Sequence, residues 1–75
     1  MGISKKFGKT RSILAANMRA RRTEIKMSQA KLAELAETHR TYISSVERGD
    51  RNIGIDGVER IAKALKVKVS DLLSE

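Results

Sequence analysis

The chain has 75 residues, of which 40% are apolar, with no cysteine, no proline and a formal net charge of +7. This length allows one domain with a single core. The lack of cysteine excludes disulfides and thiolate metal sites as sources of stability. Alanine, leucine, arginine, lysine and glutamate are abundant, which favours helices packed through aliphatic side chains, so we expect an all-α domain.

The excess positive charge is confined to the first third of the chain. Residues 1–26 contain eight basic residues and one acidic residue, whereas residues 27–75 contain eight of each. A basic field at one end favours a polyanionic partner such as nucleic acid. The sequence has no apolar run long enough to span a bilayer and nothing resembling a signal peptide, so we expect a soluble cytoplasmic protein.

The chain begins with a segment that has no hydrophobic period. Residues 1–9 are basic and contain two glycines, and we interpret them as a flexible tail ahead of a domain at residues 10–75. The first helix is predicted from residue 10 or 12 to residue 25. Its apolar face is interrupted by Arg22, and an arginine in such a place usually has a buried partner or lies at the edge.

Two short helices follow, separated by only two or three residues. Ser28 is a suitable N-cap for the second helix, predicted at residues 29–36. The third helix is predicted to begin after Thr38 or His39. It ends before Gly49, whose freedom at positive φ suits a helix C-terminal cap.

The last two helices are predicted at residues 55–65 and near residues 69–73. The first of them carries the clearest amphipathic stripe in the chain. Its apolar residues and those of the last helix fit either an intramolecular core or a twofold dimer interface. The candidates for that interface are Ile55, Val58, Val67, Val69 and Leu72.

The two short helices form a helix-turn-helix pattern. Ala33 lies inside the predicted corner, where a larger side chain would push the helices apart, and Leu32 and Ile43 attach them to the core. The polar residues expected on the outer face of the third helix are Arg40, Thr41, Ser44 and Ser45. A helix fits the DNA major groove and its N-terminal residues meet base edges, although an ordinary solvated face is the alternative.

Three segments, SQAKLAELA, RTYISSVERGDRN and VERIAKAL, resemble the lambda-repressor-like, or XRE-type, helix-turn-helix family. Within that family, HRTYISSVERGDRNIG is especially similar to the controller proteins of restriction–modification systems. The similarity covers about residues 12–73. It implies a compact five-helix domain that binds DNA through helices two and three and dimerises through helices four and five.

The resemblance also implies roles for single residues. Those expected to read bases are Arg40, Thr41, Ser44, Ser45 and Arg51. Those expected to contact the DNA backbone are Ser28, Gln29, His39, Tyr42, Arg48 and Asn52. Tyr42 is equally compatible with a core position. Arg22 and Glu47 match the internal ion pair of the family, which would account for the arginine on the apolar face.

Three positions depart from the family pattern. Lys26, Glu37 and Lys66 stand where relatives often have glycine at a helix end. A left-handed conformation there would cost about 1 kcal/mol relative to glycine. For the two lysines, positive charge at a helix C-terminus offsets part of that cost.

The implied function is a sequence-specific, homodimeric transcriptional regulator, in its most specific form a controller that autoregulates a restriction–modification operon. A phage- or plasmid-type repressor, an antitoxin and a nonspecific DNA-coating protein are the alternatives. Expected partners are double-stranded DNA with a pseudo-palindromic operator, a second copy of the chain and RNA polymerase, at the nucleoid. With no cysteine and a single histidine, His39, neither enzyme activity nor a metal or other cofactor is expected.

Overall fold

The chain folds as a series of α-helices, and the computed structural model describes the backbone of residues 2–75 and the side chains of residues 8–75. The helices are α1 (Gly2–Glu24), α2 (Gln29–Leu35), α3 (Arg40–Glu47), α4 (Ile55–Leu65) and α5 (Val69–Leu73). The described backbone contains no strand. The predicted all-α, five-helix class is therefore confirmed. None of the described helices is long and apolar enough to cross a membrane.

The first helix begins earlier than its hydrophobic pattern predicted. α1 starts at Gly2, whereas the pattern placed the start at residue 10 or 12. Extending an existing helix costs little once its first turns are formed, so residues without an apolar period can continue it. The side chains of residues 2–7, which include Lys5 and Lys6 of the basic N-terminal third, lie outside the described residues.

The core lies where α1 packs against α3 and α5 and where α2 packs against α3 and α4. Its fully buried side chains are Met18, Leu32, Ile43, Val46, Ile61, Leu65 and Leu72. Leu72 is 1% exposed, so its predicted place in a dimer interface is wrong. The reason is that α5 packs against α1 and α4, and this packing directs Leu72 into the core.

The helices α1 to α4 all end in the same hydrogen-bonded turn. A residue one or two positions beyond the end of each helix has a positive φ; these residues are Lys26 (57°), Glu37 (58°), Gly49 (75°) and Lys66 (60°). Two N–H groups then bond back to the helix. After α2, for example, the N–H of Glu37 donates to Glu34 O at 3.2 Å and that of Thr38 to Ala33 O at 2.8 Å. This Schellman turn reverses the chain quickly, and three of the four turns use a non-glycine residue in the left-handed conformation.

Candidate nucleic-acid interface

The corner between α2 and α3 is held by local hydrogen bonds and one small residue. The hydroxyl of Ser28 accepts a hydrogen bond from the N–H of Lys31 at 3.0 Å and so caps α2 as predicted. Ala33 is buried inside the corner. His39, in extended conformation, is the N-cap residue of α3 but makes no side-chain cap. The predicted helix-turn-helix is therefore present, with α3 beginning at Arg40.

The first turn of α3 presents polar side chains to solvent. Arg40 and Thr41 are exposed, and neither side chain makes a hydrogen bond to another described residue. Ser44 is half-buried and accepts a hydrogen bond from Nη1 of Arg48 at 3.0 Å. The Nε of Arg48 also donates to a carboxylate oxygen of Asp50 at 2.8 Å. Thus Arg40 and Thr41 have unengaged side chains, while Ser44 and Arg48 belong to a surface network.

Ser45 does not lie on the outer face of α3, and that prediction is wrong. It is 9% exposed. Its hydroxyl donates to Tyr42 O at 2.8 Å and accepts from Nε of Arg51 at 2.9 Å. The physical reason is that the chain returns over this side of α3 in the loop that leads to α4. The helical periodicity of α3 cannot predict where that loop lies, and so it cannot predict that Ser45 is buried.

The same loop places Arg51 beside Tyr42. The Cζ of Arg51 lies 4.9 Å from the centroid of the Tyr42 ring, within the range of a cation–π contact. Tyr42 is half-buried and packs against the core, in agreement with the core interpretation of this residue. Its hydroxyl lies 3.0 Å from the position that a Cβ would take at Gly57. Arg51 and Asn52 themselves are exposed.

A buried ion pair joins α1 to the end of α3, as predicted. Nε and Nη2 of Arg22 donate to the two carboxylate oxygens of Glu47 at 2.8 and 2.9 Å. Gln29 Nε2 donates to the same carboxylate at 3.0 Å, which ties the start of α2 into the pair. That amide nitrogen is therefore directed inward, and the expected contact of Gln29 with a phosphate stays a prediction.

The protonation of this pair follows from its contacts. Burial by itself would raise the pKa of the Glu47 carboxyl. Hydrogen bonds from Arg22 and Gln29 and the positive charges of Arg22 and Arg19 outweigh burial and hold that pKa below its ordinary value. The hydrogen bond to Glu47 likewise raises the pKa of Arg22 above its ordinary value, against the opposing effect of burial. Both groups are charged at neutral pH.

Helix α1 also supplies donors to the carboxyl ends of other helices, which the sequence pattern did not reveal. Asn17 Nδ2 donates to the carbonyl of Leu72 at 2.8 Å and to that of Ser74 at 2.7 Å. Nε of Arg21 donates to the carbonyl of Leu65 at 2.9 Å. The available signal was only that Asn17 lies next to the buried Met18 and that Arg21 lies three residues after it. Helix-end carbonyls need such partners, but sequence spacing does not say which helix ends are near.

Comparison with known proteins identifies the fold. The helix-turn-helix family matches residues 18–72, which include the whole of α2, α3 and α4. The chain belongs to the helix-turn-helix family. Its match to the family confirms the predicted resemblance.

Several of its relatives are control proteins. The chain is 57% identical over 47 residues to the control protein C.BamHI of Bacillus amyloliquefaciens, a match that covers 63% of this chain and 58% of that relative. It is 44% identical over 68 residues to the control protein C.SmaI of Serratia marcescens, covering 91% and 81% of the two chains. The crystal structure of the restriction-modification controller protein C.AhdI from Aeromonas hydrophila superposes with a TM-score of 0.80 at 32% identity, covering 83% of this chain and 94% of that one.

Proposed function

We propose that this chain is a sequence-specific DNA-binding transcriptional regulator whose reading element is the first turn of α3. The observation that carries the proposal is the exposed, unengaged pair Arg40 and Thr41. The buried pair of Arg22 and Glu47 supports α3 from the inside. Arginine pairs bidentately with guanine, and threonine offers a hydroxyl or a methyl group to thymine. The expected contacts of Ser28, His39, Arg48 and Asn52 with the DNA backbone fix the register of the helix.

The more specific proposal is a controller that autoregulates a restriction–modification operon. It is supported by similarity to control proteins along most of the chain and to the structure of a restriction–modification controller. Such a protein acts through its own promoter and through RNA polymerase, at the nucleoid. A controller of this kind activates its promoter at low concentration and represses it at high concentration, whereas a phage-type repressor only represses. Transcription in vitro from the chain's own promoter, measured across protein concentrations, separates the two.

The controller proposal includes a homodimer formed through α4 and α5. Ile55 is 84% exposed at the start of α4. It borders an apolar groove of about 520 Å³ between α1, α4 and α5. Burying one exposed isoleucine contributes about 1.5–3 kcal/mol. Val58 is largely buried within the protomer and Val67 and Val69 are half-buried, so Ile55 and the partly exposed Leu73 carry most of the free apolar surface.

The dimer is tested separately from DNA reading. Ile55→Asp is expected to raise the dimer dissociation constant at least tenfold in sedimentation equilibrium, because a carboxylate cannot be buried without a partner. Ile55→Leu, which keeps the apolar volume, is the matched control. An unchanged dissociation constant for Ile55→Asp would place the interface elsewhere without affecting the assignment of α3.

The central experiment is selection of bound duplexes from a random pool at near-physiological salt. The expected result is an inverted repeat whose half-sites lie about 34 Å apart, one helical turn. Arg40→Ala should then relax the preference at fixed base pairs by about 1–3 kcal/mol. If duplexes bind but no sequence is enriched, the chain is a nonspecific DNA-coating protein and the proposal fails.

A further inference from the structure

Arg51 is held from two sides by residues of α3. Its Nε donates to the hydroxyl of Ser45 at 2.9 Å, and its Cζ lies 4.9 Å from the centroid of the Tyr42 ring. Arg51 itself is exposed, in the loop between α3 and α4. A loop arginine without such contacts occupies many rotamers, and ordering it on binding costs free energy.

The Ser45 hydroxyl is suited to hold Arg51 because its own orientation is fixed. Its proton is donated to the carbonyl oxygen of Tyr42 at 2.8 Å. The oxygen lone pairs are then left to accept from the arginine. Ser45 is also buried, so water competes little for the hydroxyl.

The Tyr42 ring is in turn held in place by α4. A Cβ added at Gly57 would lie 3.0 Å from the tyrosine hydroxyl and 2.9 Å from Cγ1 of Ile53. The missing side chain at Gly57 therefore leaves the space in which the end of the ring sits. A series of contacts thus runs from α4 through Tyr42 to the guanidinium group.

These contacts leave the outer edge of the guanidinium group open. Nε of Arg51 is occupied by Ser45, whereas Nη1 and Nη2 make no hydrogen bond to any other described residue. Guanidinium nitrogens are the donors with which arginine pairs bidentately to a guanine edge. We propose that Ser45 and Tyr42 are positioning residues, which pre-orient Arg51 for contact with a base and so set specificity without touching DNA. The proposal rests on the DNA-reading function proposed above.

The first test uses the free protein and needs no DNA. In nitrogen-15 spectra, the Nε–H of Arg51 should give a resolved signal that exchanges slowly with water, and Ser45→Ala should speed that exchange at least several-fold. The Arg51 side-chain protons should show an upfield ring-current shift that Tyr42→Phe keeps and Tyr42→Ala removes. If neither substitution changes the Arg51 signals, Ser45 and Tyr42 do not hold the side chain and the proposal is wrong.

The second test measures specificity with the selected duplex and each of its single-base-pair variants. Dissociation constants are compared for the wild type, Ser45→Ala, Arg51→Ala and the double variant, with Ser12→Ala on the exposed face of α1 as the matched control. Ser45→Ala should reduce discrimination by about two- to tenfold, the cost of ordering one arginine. The loss should occur only at base pairs where Arg51→Ala also reduces discrimination. In the Arg51→Ala background, Ser45→Ala should have no further effect.

The outcomes separate this proposal from the proposed function. Undiminished discrimination in Ser45→Ala, or an equal loss with and without Arg51, would show that Ser45 has only a structural role and would overturn the positioning proposal alone. A wild-type protein that discriminates at no base pair would overturn the DNA-reading function and this proposal with it. Thermal unfolding of each variant confirms that the comparison is made between folded proteins.

Discussion

The buried pair of Arg22 and Glu47 allows a sharp prediction about folding. The Glu47 side chain is 1% exposed and that of Arg22 is 17% exposed. Removing one member of a buried pair costs about 3–5 kcal/mol because the other charge is left without its partner. Substituting Arg22 and substituting Glu47 should not have equal effects, because the carboxylate is inaccessible to water and the guanidinium group is partly accessible.

Arg22→Met should therefore reduce the free energy of unfolding by about 3–5 kcal/mol. It leaves a buried carboxylate with one hydrogen bond from Gln29 and with the charge of Arg19, whose Nε lies 3.9 Å from the carboxylate but whose side chain is 60% exposed. Glu47→Gln should cost less, about 2–3 kcal/mol, because Arg22 can still be partly hydrated. A domain of this size has a total stability of about 4–11 kcal/mol, so Arg22→Met is expected to be close to unfolding.

Urea denaturation followed by far-ultraviolet circular dichroism measures these losses, and the double variant Arg22→Met/Glu47→Leu provides the control. An apolar pair of similar volume removes both charges, so the double variant should be more stable than Arg22→Met alone. The single variant Glu47→Leu completes the double-mutant cycle with Arg22→Met and the double variant, and the interaction free energy from that cycle should reach about 2 kcal/mol. A loss below about 1 kcal/mol for Arg22→Met, or single losses that simply add in the double variant, would refute this reasoning.

Three further predictions concern pH and backbone conformation. The pKa of Glu47 is lower in the folded protein than its ordinary value of 4.5, so the stability that the ionised carboxylate contributes is present above pH 4.5 and is lost as pH falls through the lower folded value. When the free energy of unfolding is measured as a function of pH, the difference between wild type and Glu47→Gln should therefore decrease only below about pH 4.5. Glu37→Gly should raise the free energy of unfolding by about 1 kcal/mol, because it relieves a left-handed glutamate at a helix C-terminus; an unchanged urea midpoint would contradict this. Gly57→Ala should cost about 1–3 kcal/mol through its contact with Ile53 and Tyr42, whereas Gly54→Ala, which meets open space, should change the thermal midpoint little.

The local sequence pattern was sufficient to predict the positions of most of the helices. Ser28 identified the start of α2 and Gly49 the end of α3, because caps are made by neighbours in the sequence. The apolar stripe in residues 55–65 identified α4, because the helical period of 3.6 residues is visible in the spacing of its apolar residues. The ion pair of Arg22 and Glu47 could be anticipated only by combining an arginine on an apolar face with a family resemblance.

Tertiary structure decided the features that depend on which distant segment covers a side chain. Ser45 was expected to face outward, but the loop carrying Arg51 folds over it, and the periodicity of α3 contains no information about that loop. Leu72 was a candidate for a dimer interface as well as for the core, and the packing of α5 against α1 and α4 places it in the core of its own chain. The hydrophobic pattern indicates which side chains must be buried, but the path of the rest of the chain decides which segment buries them. Composition and local sequence therefore determined the helices and most of their ends, whereas the packing of loop and helix determined which polar groups of α3 remain exposed.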